Sequence, residues 1–404
     1  MSKKTVTDID PNGKRVLVRV DFNVPLDDAG RITDDRRIRQ TLPTLVDLVS
    51  RGAKVVLMSH MGRPDGKVDP KFTLAPAAAR LSELLGKPVP QAPDCVGPEV
   101  RALVDALAPG DVLLLENLRF HREEEHYSAT DAESGKFADA LSALGDAYVN
   151  DAFGAAHRAH ASMVGVPSRI AVGSRALGLL FEKELHFLGQ AVGKPSHPYV
   201  AVLGGAKVSD KIKVIENLSL NVDVILVGGA MAYTFMAARG DPVGTSRVET
   251  AMLDKARELM KLCEDRQCTL LLPVDHRLGD RFAADAEVST SMGIIPDGRM
   301  GLDIGPETEQ LYREIILEAK MRVWNGPMGV FEWDRFASGT KAVAEAMAKA
   351  AAGGLSIVGG GDTAAAADKF QVAGTVSWVS TGGGATLEFL EGKNFPALEF
   401  IDDK

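Results

Sequence analysis

Apolar runs of four to eight residues alternate with longer stretches at helical spacing along the whole chain, and this order limits the fold more than any other feature. Residues 55–58 (Val-Val-Leu-Met) are followed, after a Gly/Pro loop, by a helical pattern over 74–85. Residues 355–358 are followed by a helical pattern over 364–370. Such a βαβα order predicts an α/β fold with parallel sheets covered by helices on both faces. The runs are rich in Val, Leu and Ile without strict polar alternation, as strands buried on both faces require. A length of 404 residues suggests two or three domains, each able to bury a core. The boundary is expected near 170–195, where an amphipathic stretch over 176–192 lies between Gly173-Ser174 and a Gly/Pro-rich segment at 193–198. That stretch reads as one helix joining two lobes, with breakers on both sides that could act as hinges.

The strand ends divide into two chemistries. In the first half, runs at 16–21, 54–58, 112–116 and 147–151 lead into Asp21-Phe22-Asn23, Ser59-His60-Met61-Gly62-Arg63, Asn117-Leu118-Arg119 and His157-Arg158. In the second half, runs at 200–203, 224–227, 323–324, 355–358 and 376–380 lead into Gly204-Gly205, Gly228-Gly229, Asn325-Gly326-Pro327, Gly359-Gly360-Gly361 and Gly382-Gly383-Gly384. Ligands of open α/β sheets bind beyond the carboxyl ends of the strands. One half therefore offers side-chain cations to a small, multiply charged anion. The other offers backbone N–H groups to the phosphates of a nucleotide. Two such halves make a phosphoryl-transfer enzyme.

Composition removes several alternatives. The net charge of −9 argues against broad nucleic-acid or anionic-membrane binding, so clustered arginines carry more weight here than in a basic protein. Three cysteines, an odd number with no CxxC spacing, exclude a disulfide framework and a cysteine zinc site, and fit a reducing cytosol. The N-terminal residues lack the apolar stretch of a signal peptide, and no apolar run approaches the roughly 18 residues of a membrane span. A cytoplasmic protein is expected. Glu123-Glu124-Glu125 reads as a solvated loop or helix start, and His157 with His160 offers too few ligands for zinc.

Gly359 to Thr363 follows an apolar strand and opens an alanine-rich helix, so its amides could receive a phosphate with the helix dipole assisting. Asp362 there reads either as a Mg²⁺ contact or as a helix N-cap. Ser380 to Ala385 repeats the geometry at the next strand end. Neither loop is a GxxxxGK[ST] phosphate loop, and neither fits the GxGxxG dinucleotide pattern. Lys207 is expected at a strand–helix junction with Lys211 one helical turn later, both facing a common point. Lysine is unfavourable at a helix N-terminus without an anionic partner. In the first half, Arg37, His60, Arg63, Arg119 and Arg158, with Asp21 and Asn23, form one cationic rim. No GxSxG elbow or HExxH helix occurs. Phosphoryl transfer to a carboxylate needs neither, because positioning and charge stabilisation suffice.

Taken in order, Arg19-Val20-Asp21-Phe22-Asn23-Val24-Pro25, Ser59 to Pro64, Glu116 to Phe120, Asn150 to Gly154, Gly204 to Lys211, Trp324 to Pro327, Gly359 to Thr363 and Ser380 to Ala385 resemble the phosphoglycerate kinase family over essentially the whole chain. The resemblance implies two Rossmann-like lobes joined by a helix. Residues 1–172 would bind 3-phosphoglycerate, 173–195 would form the connecting helix and hinge, 196–391 would bind nucleotide, and 392–404 would pack back on the first lobe. It implies a cytoplasmic, monomeric, glycolytic phosphotransferase with a carboxyl acceptor, Mg²⁺ carried as MgADP or MgATP, no nucleic-acid or membrane partner, and lobe closure during turnover. Asp21, Phe22, Asn23, Arg37, His60, Met61, Gly62, Arg63, Arg119 and Arg158 match substrate-binding positions. Gly205, Lys207, Lys211, Gly301, Asn325, Pro327, Glu332, Gly360, Gly361, Asp362 and Thr363 match nucleotide-binding positions, Asp362 being the Mg²⁺ contact. Arg37, Lys207, Gly360 and Gly383 match groups that stabilise the phosphoryl group in flight. Ala230 stands where a third glycine is usual, and Trp378 where a histidine is common. A nucleotide-linked oxidoreductase and a non-catalytic two-lobed anion-binding protein are the alternatives; the missing GxGxxG and the missing signal peptide argue against them.

Overall fold

The computed structural model describes residues 2–404. The chain forms two compact units, one comprising the residues up to Leu185 with Asn394–Lys404, the other His186–Lys393.

In the first unit β1 (Arg15–Arg19), β2 (Lys54–Met58), β3 (Val112–Leu114), β4 (Ala147–Asn150) and β5 (Arg175–Leu177) form an all-parallel sheet in the order β3-β2-β1-β4-β5. The chain winds outward from β1 to β3, then returns to the other side of β1. The switch therefore falls between β1 and β4, whose carboxyl ends open a ligand crevice. Both faces are covered, so Val16, Val18, Val55, Leu57 and Val149 are almost wholly withdrawn from water. The helix Arg36–Ser50 contributes Ile38, Leu45 and Leu48 to this core at helical spacing. The last residues belong to the same unit: Asp402 accepts from the N–H groups of Gly173 (2.7 Å) and Arg175 (3.0 Å), and Phe395, Ala397 and Ile401 are buried.

The stretch 176–192 is not one helix. Ala176 and Leu177 lie in β5, and the helix is Leu179–Val192. Asp151, just past β4, sets that start by accepting from the N–H groups of Leu180 (2.9 Å) and Phe181 (3.1 Å). Gly178 allows it, because a Cβ there would stand 2.1 Å from the Asp151 carboxylate.

In the second unit β6 (Tyr199–Leu203), β7 (Val224–Val227) and β8 (Thr269–Leu271) run outward in one direction. After three intervening strands, β12 (Met321–Asn325), β13 (Leu355–Val358) and β14 (Trp378–Val379) continue from β6 in the other. The sheet is parallel throughout, ordered β14-β13-β12-β6-β7-β8, with its switch between β6 and β12. Trp324, Tyr312, Ile316 and Val358 lie in its core. The intervening strands, β9 (Asp275–Gly279), β10 (Ser289–Met292) and β11 (Met300–Ile304), form a separate antiparallel sheet, a departure from the βαβα order. Among the described residues no helix is long and apolar enough to cross a membrane.

Candidate active site

At the carboxyl end of β1 the chain turns through Asp21 and Asn23 into a web that joins Arg37 and Arg119, two of the predicted cations. Arg37, near the start of helix Arg36–Ser50, places Nη1 3.2 Å from Asp21 Oδ2 and donates to the Asn23 carbonyl (2.8 Å). Asn23 Oδ1 accepts from Gly62 N–H (2.9 Å), and Arg119 Nη1 donates to the Gly62 carbonyl (2.7 Å). Asn117 holds the same loop by accepting from Met61 N–H (3.1 Å) and donating to Met61 O (2.7 Å). Phe22 is fully buried, its N–H donating to Ser59 Oγ (2.9 Å). Arg63 is exposed, with no ion-pair partner among the described residues. Arg158 donates to His157 Nε2 (3.0 Å).

Beneath this rim lies a layer the sequence reading missed. Arg19 is fully buried inside β1 and donates to Ser162 Oγ (2.8 Å) and to His60 Nδ1 (3.3 Å). Because a guanidinium can only donate, His60 Nδ1 accepts and the neutral ring carries its proton on Nε2. Glu124, fully buried, accepts from Ser162 N–H (2.9 Å) and Ser162 Oγ (2.6 Å), and stands 3.9 Å from Arg19. The acidic run is a helix start, in the short helix Arg122–Glu125, and not a solvated one: Glu124 is buried and Glu125 faces Arg119 at 3.1 Å. Burial, then the charges of Arg19, Arg119 and Arg37, hold His60 well below the ordinary imidazole range. Burial with Arg119 and Arg19 pushes His160 down to about 3. Both imidazoles are therefore neutral at pH 7. An arginine in an otherwise apolar strand was the signal that could have revealed Arg19: such a charge must have partners.

The second site forms beyond the carboxyl ends of the adjacent strands β6 and β12. Their turns are bonded together, Gly204 N–H to Asn325 O and Gly205 N–H to Pro327 O, both at 3.0 Å. Beside them opens a cavity of about 440 Å³, whose wall includes Gly205, Gly301, Pro327, Glu332 and Asp362. Tyr233, Thr245, Arg247 and Phe282 line it too and were not anticipated, because they come from a helix and loops without phosphate-binding patterns. Gly301 is required by close approach: a Cβ there would lie 2.2 Å from the Tyr233 ring. Ala230 lines the cavity at φ −65°, where an alanine side chain meets no backbone strain. Trp378 stacks on Phe187 with centroids 5.1 Å apart.

Asn325 and Thr363 support the cavity from beneath. Asn325 Nδ2 donates to Gly359 O (2.8 Å), and Thr363 Oγ1 accepts from Gly326 N–H (2.7 Å). Gly360 is the N-cap residue of helix Gly361–Lys369, and Gly383 that of helix Gly384–Leu390, so amides open towards the strand ends at both. Asp362 lies in the first turn, exposed, and is not the cap. The two lysines differ from expectation. Residues 204–211 are turn and loop, and the helix starts at Ile212. Lys207 is exposed in that loop and outside the cavity wall. Lys211 is buried and donates to Asn325 Oδ1. Burial pushes its pKa down to about 8 against the pull of Asp210, Asp362 and Glu391, so it stays cationic at pH 7.

A set of side-chain cations on one parallel sheet, with an amide-rimmed cavity on another and no covalent nucleophile at either, defines a phosphotransferase built from two α/β units. The family model described as phosphoglycerate kinase matches residues 6–393. The phosphoglycerate kinase of Chlorobium limicola is 52% identical over 405 residues, covering all of both chains, and that of Moorella thermoacetica is likewise 52% identical over 405 residues. Among solved structures, phosphoglycerate kinase from Coxiella burnetii superposes with a TM-score of 0.87 at 39% identity, covering 98% of each chain. That from Pyrococcus horikoshii OT3 gives 0.84 at 34%, with the same coverage. The chain belongs to the phosphoglycerate kinase family, a family of glycolytic kinases.

Proposed function

We propose that the chain catalyses the reversible transfer of the acyl phosphate of 1,3-bisphosphoglycerate to MgADP, giving 3-phosphoglycerate and MgATP. The observation that carries the reading is the web uniting Asp21, Asn23, Arg37, Gly62 and Arg119, with His60 neutral behind it. It presents guanidinium forks and a ring N–H to an anion that carries both phosphate and carboxylate. Arg63 and Arg158 complete this anion site.

The nucleotide would occupy the cavity beside the β6 and β12 turns. Glu332 would take the ribose, and Lys211 with the amides of Gly360, Gly361 and Gly383 the phosphates. Asp362, an exposed carboxylate in a helix's first turn on the cavity wall, suits Mg²⁺, which takes one or two carboxylates plus phosphate oxygens. The ion would neutralise charge on the nucleotide's phosphates. Arg37 and Lys207 would meet the charge on the phosphoryl group as it crosses, Lys207 from an exposed loop position. The attacking carboxylate of 3-phosphoglycerate is already ionised, so no base is required. In-line transfer calls for both ligands to be brought together with water excluded, a closing motion driven by their joint contacts.

A coupled assay with 3-phosphoglycerate and MgATP tests this directly. Mg²⁺-dependent ADP release that requires 3-phosphoglycerate is expected. Nucleotide turnover indifferent to 3-phosphoglycerate would overturn the assignment, and saturable NAD binding would favour an oxidoreductase.

A further inference from the structure

A second group of chemistry-bearing side chains lies at the edge of the first unit's sheet and plays no part in the proposed reaction. Residues 91–94 run beside the outermost strand, with Gln91 bridged to Leu114 of β3 and Glu116 N–H donating to Asp94 O (3.3 Å). The chain returns past them just after the 3₁₀ turn Leu118–Phe120, where His121 faces Asp94. A carboxylate oxygen of Asp94, the Cys95 sulfur and a ring nitrogen of His121 lie within 4.8 Å of one another. Donors around a tetrahedral Zn²⁺ at its usual bond lengths stand roughly 3.3–3.8 Å apart, so these three need only small side-chain adjustments to share an ion.

We propose that Asp94, Cys95 and His121 form a binding site for a divalent transition-metal ion of borderline softness, Zn²⁺ in class, with water completing a tetrahedron. The donor set of one sulfur, one imidazole nitrogen and one carboxylate oxygen disfavours Mg²⁺ and Ca²⁺, which take oxygen ligands. Much of the site is already held in place. The His121 ring stacks on Phe137 with centroids 5.0 Å apart and planes 22° from parallel. Asp94 Oδ1 accepts from Cys95 N–H (2.6 Å) and lies 2.7 Å from His121 Nε2. That last hydrogen bond must open, or Asp94 must turn Oδ2 inward, for the ion to enter. The Asp94 and His121 side chains are 47% and 26% exposed, on the solvent side of the cluster, while Cys95 is buried.

Burial, with the charges of Asp94 and Glu124, pushes the Cys95 thiol well above its usual range, so it is no activated nucleophile at rest. A metal ion reverses this, because a coordinating thiol is deprotonated and its proton passes to solvent. The missing CxxC spacing, which spoke against a cysteine zinc site, does not bear on this one, because its three ligands meet only in the fold. The ion's role is structural: it ties the sheet-edge segment to the segment carrying Arg119, whose guanidinium reaches away to Gly62.

The test uses the whole chain, freed of metal by a chelator and then titrated with Zn²⁺ or with Co²⁺ as a spectroscopic reporter. One equivalent should bind with a near-ultraviolet thiolate-to-cobalt band and visible bands of tetrahedral intensity. Zn²⁺ should raise the melting temperature, since it binds the native state. Cys95→Ser and Cys95→Ala should abolish the thiolate band. Each should weaken binding by at least about 100-fold, the upper end of what losing an outer-shell partner costs. The pair also guards against one variant folding poorly, and His121→Gln, at a partly exposed position, should weaken Zn²⁺ binding with the fold intact. Cobalt bound without a thiolate band, a band that survives in Cys95→Ser, or unchanged Zn²⁺ affinity in His121→Gln would each overturn the proposal.

Discussion

On the proposed reading, the two units would meet phosphate oxygens in opposite ways. The first uses side-chain cations and must therefore bury a charged layer beneath them: Arg19 and Glu124 are both wholly withdrawn from water. The second uses backbone amides at strand ends and helix starts, supported mainly by neutral groups, Asn325 on Gly359 and Thr363 on Gly326, with one buried cation, Lys211, behind Asn325. Charge supplied by side chains must be desolvated and paired at a cost. Charge supplied by the backbone needs only glycine and helix ends. The first unit should thus lose more stability than the second when a single polar support is removed.

The largest effect expected follows at once. Glu124→Ala leaves the Arg19 charge buried without its carboxylate and strips Ser162 N–H and Oγ of their acceptor. Breaking a buried pair costs about 3–5 kcal/mol. In the second unit, Thr363→Ala removes the acceptor of Gly326 N–H, worth about 1–3 kcal/mol. Urea denaturation of both variants decides; equal losses would show that the charged layer adds no special fragility.

The next effect concerns pH and shows that partners, rather than the unit, decide the fate of a buried acid. Asp303, in the second unit, has only the amides of Gly339 (2.8 Å) and Ile304 (2.9 Å), and burial pushes its pKa up to about 8. Asp151, in the first unit but with no arginine among the charges acting on its carboxyl, is likewise pushed up to about 7 by burial. A folded-state pKa raised above the unfolded value of 3.8 gives stability that is fully present below about pH 4. It is lost as pH rises through about 7 for Asp151 and about 8 for Asp303. Each unit of pH inside that window is worth about 1.4 kcal/mol, so Asp303 can contribute up to roughly 4 kcal/mol of decline between about pH 5 and 8. Asp303→Asn should flatten that decline in urea melts. An identical slope in the variant would mean that the carboxyl is ionised throughout.

How much of this was written in the sequence follows the same divide. Parallel strands with glycine or cation at their ends are local patterns, and they were readable. The antiparallel β9–β11 sheet was not, because Ser289–Met292 and Asp275–Gly279 are short and polar, without an apolar face to announce them. The start of the helix at Leu179 was also hidden. Ala176 and Leu177 fit its stripe, and the amides that begin it are claimed by residues far away in sequence, Thr44 for Leu179 and Asp151 for Leu180 and Phe181. Lys207 and Lys211 looked equivalent by spacing; the loop before Ile212 exposes one and buries the other.

That separation of the lysines sharpens the comparison at the level of rate. Lys207, exposed in its loop, has no structural duty to lose, so Lys207→Ala should leave the melting temperature nearly unchanged. If it meets charge only in the transition state, kcat should fall by about 10²–10³ with little change in KM. A rise in KM alone would make it a ground-state binder. Lys211→Ala should differ, costing stability as well, because Asn325 Oδ1 would lose its buried donor.

The smallest effect tests whether the two chemistries are truly partitioned. Arg119 is buried to the base of its guanidinium, and burial lowers its pKa against the pull of Glu125, a sign that its charge is held in a poorly solvated place. Removing it should cost 3-phosphoglycerate about 1.5–3 kcal/mol of binding, the worth of a charge-assisted hydrogen bond. ADP should be nearly unaffected, since the cavity wall includes no residue of the first unit. Calorimetry with each ligand separately measures both numbers on one preparation. Part of the loss will be offset, because the Gly62 carbonyl and Glu125 regain water when the guanidinium leaves. The 3-phosphoglycerate effect should therefore fall towards the lower end of the range. Equal losses for the two ligands would mean that the cations of the first unit also serve the nucleotide, and the division between side-chain and backbone recognition would have to be given up.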